Sequence, residues 1–188
     1  MTIYVQLILT ALIWGGTFIA GRLVSESVHP FSAGFMRFAI ASLCLLIMAY
    51  QSKEHFPKLR LHQLWLIILL GLSGVFAYNV CFFLGLKTIS AGRAALIVAL
   101  NPVAIAIASA FIFQDKLSSL KLLGIATSLV GAAIVIGKGN PFNLLVGGVQ
   151  QGDLFILGCV ISWVTYTLIG KQVLGTLSPL ITTTYAFI

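Results

Sequence analysis

The sequence predicts an all-α integral membrane protein with a five-helix inverted-topology repeat: six full transmembrane helices plus part of a seventh. Three observations predict it. Of the 188 residues, 60% are hydrophobic and only 8% charged, against roughly 25% charged in ordinary soluble domains. The apolar residues gather into runs of about 20, the length a helix needs to cross a bilayer core. Finally, residues 7–38 align without a gap on residues 156–187, at an offset of 149. Trp14 falls on Trp163, Gly21 on Gly170, Val24 on Val173, Pro30 on Pro179 and Phe38 on Phe187, while Arg22 meets Lys171. Two apolar segments share leucines readily. A shared Trp, Gly, basic residue and Pro in one register points instead to an internal repeat.

The first run, Ile3–Gly21, holds only Gln6 as a strongly polar member. Pro30 opens the second, which ends near Tyr50; proline suits a helix start because the donor it lacks would be unpaired there anyway. A polar stretch over 51–63 precedes the third run, Leu64–Leu86. The tight connection Lys87–Arg93 makes an antiparallel hairpin with the fourth, Ala94–Phe113. After the polar break Gln114–Ser119 comes a shorter fifth run, Leu120–Gly137, then a Gly- and Asn-rich linker, then the sixth, Leu154–Val173. The seventh starts at Pro179 and reaches Ile188, which gives about 13–14 Å of helix at 1.5 Å per residue, too short to cross. The expected organisation is a first repeat over 1–138, a linker over 139–152 and the start of a second repeat over 153–188. The second copy, and the chain with it, is expected to be truncated.

An offset of 149 places five helices in each copy. An odd number sends the second copy into the membrane from the opposite side, a common construction of secondary transporters, with the substrate site between the halves near the midplane. Lysine and arginine near the span ends favour a cytoplasmic N-terminus. On that topology Lys53, Lys58, Arg60, Lys116, Lys121 and Lys171 lie inside, and Arg22, Lys87, Arg93 and Lys138 outside. The start of the chain lacks the basic residues of a cleavable signal, and its apolar run is too long for one.

Composition also narrows the function. The formal charge of +7 comes from eleven basic residues scattered between apolar runs, without the basic stripe of a nucleic-acid binder. Cys44, Cys81 and Cys159 sit alone in separate runs, and His29, His55 and His62 are isolated in loops, so no disulfide framework, metal site or cofactor is expected.

Several segments resemble the drug/metabolite transporter superfamily, specifically its EamA-like ten-helix members. They are ALIWGGTFIAGRLV in the first span, Pro30 with Arg37 and Phe38 in the second, GLKTISAGRAALIVALNP through the hairpin, and FQDKLSSLKLLGIATSLVGAAIVIGKG into the fifth. Each is short and apolar; their order and spacing carry the resemblance. It implies two five-helix repeats and a small-metabolite carrier of the inner membrane. The family pattern has a Glu where Asp115 stands here.

Residues suited to a substrate path follow from chemistry and position. Trp14, Thr17 and Gly21 share one helix face, and Trp163, Tyr166 and Gly170 repeat the arrangement; they either wall a path or pack helices closely. Arg37 lies about 10 Å along its helix from Pro30, at a depth where Arg costs about 2.5–3.5 kcal/mol if placed at the helix centre. Such a residue either faces protein or water and marks a function, or snorkels to the head groups. The resemblance adds that Arg belongs to the pattern here. Tyr78 and Asn79 are a polar pair within the third span, able to tie helices together or to touch substrate. Asn101 precedes Pro102, where a kink is expected. Gly16/Ala20, Ala104/Ala108 and Gly124/Ser128 are small-residue pairs of the kind that form helix contacts. Asp115 and Lys116 read as a solvated charged pair.

The function expected is a secondary transporter, in the exporting direction, of small metabolites or amino-acid-like compounds by alternating access. The alternative is a non-functional truncated fragment of such a transporter. A homodimer that completes the cavity is a further expectation. No Asp or Glu lies deep in any of the six runs, which leaves the coupling ion without a carrier. An intramembrane enzyme would need a nucleophile with its base, paired carboxylates or a metal set, and the runs offer none.

Overall fold

The computed structural model describes residues 2–52, 56–114, 118–136, 140 and 150–188. They are helical almost throughout, with no strand among the described residues. α1 spans Thr2–Ser27 and α2 Pro30–Gln51. α3 runs Leu61–Thr88 and has three continuous parts: α-helical Leu61–Leu70, π-helical Gly71–Ala77 and α-helical Tyr78–Thr88. α4 covers Ala91–Phe113, broken into Ala91–Val98 and Asn101–Phe113. α5 is Ser119–Ile136, α6 Gln151–Val173 and α7 Pro179–Phe187.

Among the described residues five helices, α1, α2, α3, α4 and α6, are long and apolar enough to cross a membrane; α5 contributes a shorter apolar stretch, Ser119–Gly131. Large apolar side chains such as Phe35, Tyr50, Phe111 and Leu120 project outward. A continuous surface of this kind is matched by lipid tails, not by water.

The helices run past the apolar boundaries. α1 continues through the charged turn after Gly21, where Arg22 and Glu26 pair at 3.1 Å across one turn; Pro30 then opens α2 after an extended His29. α4 starts at Ala91, three residues before its apolar run, because the Ser90 hydroxyl accepts from the Arg93 N–H and caps it. α6 starts at Gln151, with the Gln150 N–H donating to Asp153 Oδ2 at 2.9 Å. Both shifts bring a charged residue inside a helix, Arg93 in α4 and Asp153 in α6.

α6 is the central helix, packed against α3 along its length and against both parts of α4. The main core gathers Phe82, Phe83 and Leu86 of α3, Ile97 and Val98 of α4 and Ile156, Cys159 and Val160 of α6. Lipid tails are as apolar as leucine, so close van der Waals approach holds these helices together. Glycine permits it at the crossings. A Cβ on Gly21 would lie 2.8 Å from both Leu86 Cδ1 and Phe82 Cε1, and one on Gly85 2.7 Å from Ile156 Cγ1. The expected contact residues Gly16 and Gly124 behave differently: a Cβ on either meets nothing within 4 Å among the described residues. Their spacing is right, but no helix among the described residues lies against those faces.

Direction through the bundle is fixed by a few long-range ties. At the C-terminal end of α1, Arg22 Nη1 donates to the backbone carbonyls of Leu86 and Ile89. At the N-terminal end of α6, Gly152 sits against the same residues, Gly85 to Ile89. Thus α1 and α6 run in opposite directions. At the far end Gln63 Nε2 donates to Thr176 Oγ1 at 3.2 Å, and the Tyr185 hydroxyl to the Pro57 carbonyl at 2.9 Å.

Candidate functional site

Three local irregularities shape the middle of the bundle. Pro102 has no N–H to return to the Val98 carbonyl, and α4 breaks one turn earlier, at Ala99–Leu100. The expected kink is therefore an interruption, and it delivers Asn101 at the start of the second segment, 7% exposed. Next, the π-helical part of α3 leaves Gly74 bare opposite α6, and the Tyr166 ring fills the space where a Cβ would stand. Third, α2 carries Arg37 beside Asn79 of α3, with Nη1 donating to Oδ1 at 3.4 Å; the Asn79 amide in turn donates to the Val75 carbonyl at 2.7 Å.

These features enclose a cavity of about 350 Å³. Trp14, Thr17, Arg37, Tyr78, Asn79, Asn101, Trp163 and Tyr166 all line it. The structure thus brings together in one place every residue expected on a substrate path, contributed by α1, α2, α3, α4 and α6. Pro102 is not in the lining; it acts through the break. His29 and His62 are exposed, and no cluster of His, Cys, Asp or Glu among the described residues could hold a metal ion. Asp115, Lys116 and His55 lie outside the described residues.

The walls are mostly aromatic. Trp14 and Trp163 meet edge to face with centroids 5.6 Å apart, Trp163 stacks on Tyr166 at 5.4 Å, and Tyr78 tilts against Trp163 at 5.7 Å. Phe38 and Phe187 meet edge to face at 4.9 Å. Both Trp14–Trp163 and Phe38–Phe187 join residues at the same offset of 149 in sequence. The Arg37 guanidinium lies 5.8 Å from the Phe38 ring centroid and 5.6 Å from that of Phe82, within the range of cation–π attraction.

Phe82, Phe38, Phe187 and Thr183 also line the cavity. Phe82 and Thr183 carry no signal of their own in an apolar run, and Phe38 and Phe187 stand out in the sequence as a repeat pair rather than as lining residues. The other omission is an ion pair. Arg93 Nε and Nη2 donate to the two carboxylate oxygens of Asp153 at 2.6 and 2.7 Å. This bidentate geometry is the strongest form of such a pair. The Asp153 side chain is 7% exposed. It joins the first turns of α4 and α6 on the side of the bundle where Arg22 also binds.

Comparison with known proteins agrees with this architecture. The EamA-like transporter family matches residues 1–137. An uncharacterized transporter of Bacillus subtilis, YyaM, is 30% identical over 189 residues, covering 100% of this chain and 62% of its own length. An uncharacterized transporter of Archaeoglobus fulgidus is 26% identical over 185 residues, 98% of this chain and 63% of its own. The uncharacterized inner membrane transporter YhbE of Escherichia coli K12 is 31% identical over 175 residues, 90% of this chain and 54% of its own. The chain thus spans between about half and two thirds of the length of these relatives. No solved structure matches it. With the family matched across most of its length, and with helices of membrane-spanning length and composition, the chain is a multi-pass membrane protein that belongs to the EamA-like transporter family, within the drug/metabolite transporter superfamily.

Proposed function

We propose that the cavity is the substrate site of a secondary transporter, working by alternating access and exporting small metabolites or amino-acid-like compounds across the inner membrane. One observation carries the reading: eight residues from five helices, chosen for their chemistry, converge on a single cavity. Five of the eight, Trp14, Thr17, Arg37, Trp163 and Tyr166, come from two stretches that repeat one another. α1 and α6 correspond at the offset of 149 and run in opposite directions. Two corresponding pairs, Trp14–Trp163 and Phe38–Phe187, touch each other in the cavity lining. Corresponding residues meet in this way when they lie beside a pseudo-two-fold axis, as between inverted repeats. These observations support an inverted repeat over 1–138 and from 153 onward, with α5 as a further span and α7 as the start of another.

In this reading the Arg93–Asp153 pair and the Gly21, Gly85 and Gly152 crossings close one mouth of the cavity, and opening that mouth parts the ion pair. The N-terminus lies on the cytoplasmic side, which puts this closed mouth outside. Because the chain spans 62% of the length of the Bacillus relative, transport is proposed for the assembled carrier, with a second copy as one way to complete it. The test is uptake of radiolabelled metabolites and amino acids into proteoliposomes holding the purified chain. Substrate-specific uptake that Trp14→Ala and Trp163→Ala each abolish is the expected result. Liposomes that stay impermeable to the whole panel favour the second reading, a fragment without transport of its own.

A further inference from the structure

The cavity holds one uncompensated charge. Among the described residues Arg37 is the one charged side chain in its lining. Among the described residues its one hydrogen bond is the long one to Asn79 Oδ1, and the ion pairs, Arg22–Glu26 and Arg93–Asp153, both lie elsewhere. A guanidinium carries five N–H donors. Two phenyl rings hold its plane in position, but a ring face offers no lone pair. In surroundings of low dielectric, a cation without a counter-charge is costly until an anion arrives.

A second group in the same cavity is also unmatched. Asn101 is 7% exposed, and its Oδ1 has no hydrogen-bond partner. A buried carbonyl oxygen in this state needs a donor from something that enters. Much of the remaining lining is aromatic, with Tyr78, Trp163 and Tyr166 in contact with one another.

We propose that the cavity binds a small organic anion, a carboxylate carried on a flat unsaturated ring that also bears a hydrogen-bond donor. The carboxylate pairs with Arg37, the donor reaches Asn101 Oδ1, and the ring lies against the aromatic wall. Aromatic faces by themselves attract cations, but the Arg37 guanidinium, held over Phe38 and Phe82 in the same cavity, repels a second positive charge. The assignment of a substrate rests on the transporter reading; the binding preference does not.

Three probes of similar size separate these terms: 4-hydroxybenzoate, 4-hydroxybenzamide and 4-hydroxybenzylamine, which set an anion, a neutral amide and a cation on the same phenol ring. Trp14 and Trp163 line the cavity, so tryptophan fluorescence of the purified full chain reports occupancy. The expected result is saturable quenching by the anion at a Kd about tenfold or more below that of either other probe. Arg37→Gln abolishes the difference between anion and amide, and Arg37→Lys retains part of it. Asn101→Leu removes the advantage of 4-hydroxybenzoate over benzoate. Equal binding of anion and amide, tightest binding of the amine, or no binding of any probe overturns the proposal; the wild-type series decides this even if a variant fails to fold. Selective binding of the anion without its passage into proteoliposomes would overturn the transport reading and leave the site assignment standing.

Discussion

A methyl group added at Gly21 has no free space, since Leu86 and Phe82 stand 2.8 Å from where it would lie. Gly21→Ala is expected to lower stability by about 1–3 kcal/mol through overpacking. Gly16→Ala, with open space around it, is expected to gain up to about 1 kcal/mol of helix propensity. Thermal unfolding in mild detergent, followed by circular dichroism, compares the two; equal shifts would remove the crossing at Gly21. Spacing alone could not separate these glycines, because both lie on one helix and only the partner helix distinguishes them. The repeat could: Gly21 has a counterpart in Gly170, whereas Gly16 falls on Thr165. Rare residue types were the legible ones for the same reason. An Arg and an Asn in apolar runs stand out because each is expensive in lipid, a Trp because it is rare, and Trp14, Arg37 and Asn101 all line the cavity.

The helices and their order are nearly all present in the pattern of apolar runs, but their ends are not. Apolarity marks where lipid begins, while hydrogen bonding and capping decide where a helix stops, so α4 and α6 each start three residues ahead of their apolar runs. That shift is why the Arg93–Asp153 pair was illegible. Each residue reads as a loop charge, and its partner stands 60 positions away. Asp153→Asn should destabilise the chain by about 1–3 kcal/mol, the range for losing hydrogen bonds to a charged group, because Arg93 left behind is only partly buried. The double variant Arg93→Gln/Asp153→Asn should recover part of that loss, because it leaves no charge unpaired. Additive losses in the thermal midpoint would mean the pair is not coupled. In α4, Pro102→Ala restores a donor for the Val98 carbonyl. It should join the two segments, turn Asn101 away from the cavity and weaken anion quenching of tryptophan fluorescence at little cost in stability.

For the molecule as a whole, orientation and assembly are open to direct measurement. With the N-terminus in the cytoplasm, a cysteine at Lys87 should react with a membrane-impermeant maleimide added to intact cells, and one at Lys58 only after permeabilisation. The reverse pattern inverts the topology and places the Arg93–Asp153 mouth inside. If a second copy completes the cavity, the chain should migrate as a dimer in mild detergent, and a strict monomer removes that part of the reading. A last consequence concerns the contact of Trp14 with Trp163 and of Phe38 with Phe187. Two stretches of like sequence facing each other would give a chamber the same at both ends, in which a bound molecule could lie either way round. Arg37 breaks that equivalence, for the residue at the matching position is Ala186. The chamber therefore has a charged pole and a neutral one, and a molecule with a single charged end has one heading in it.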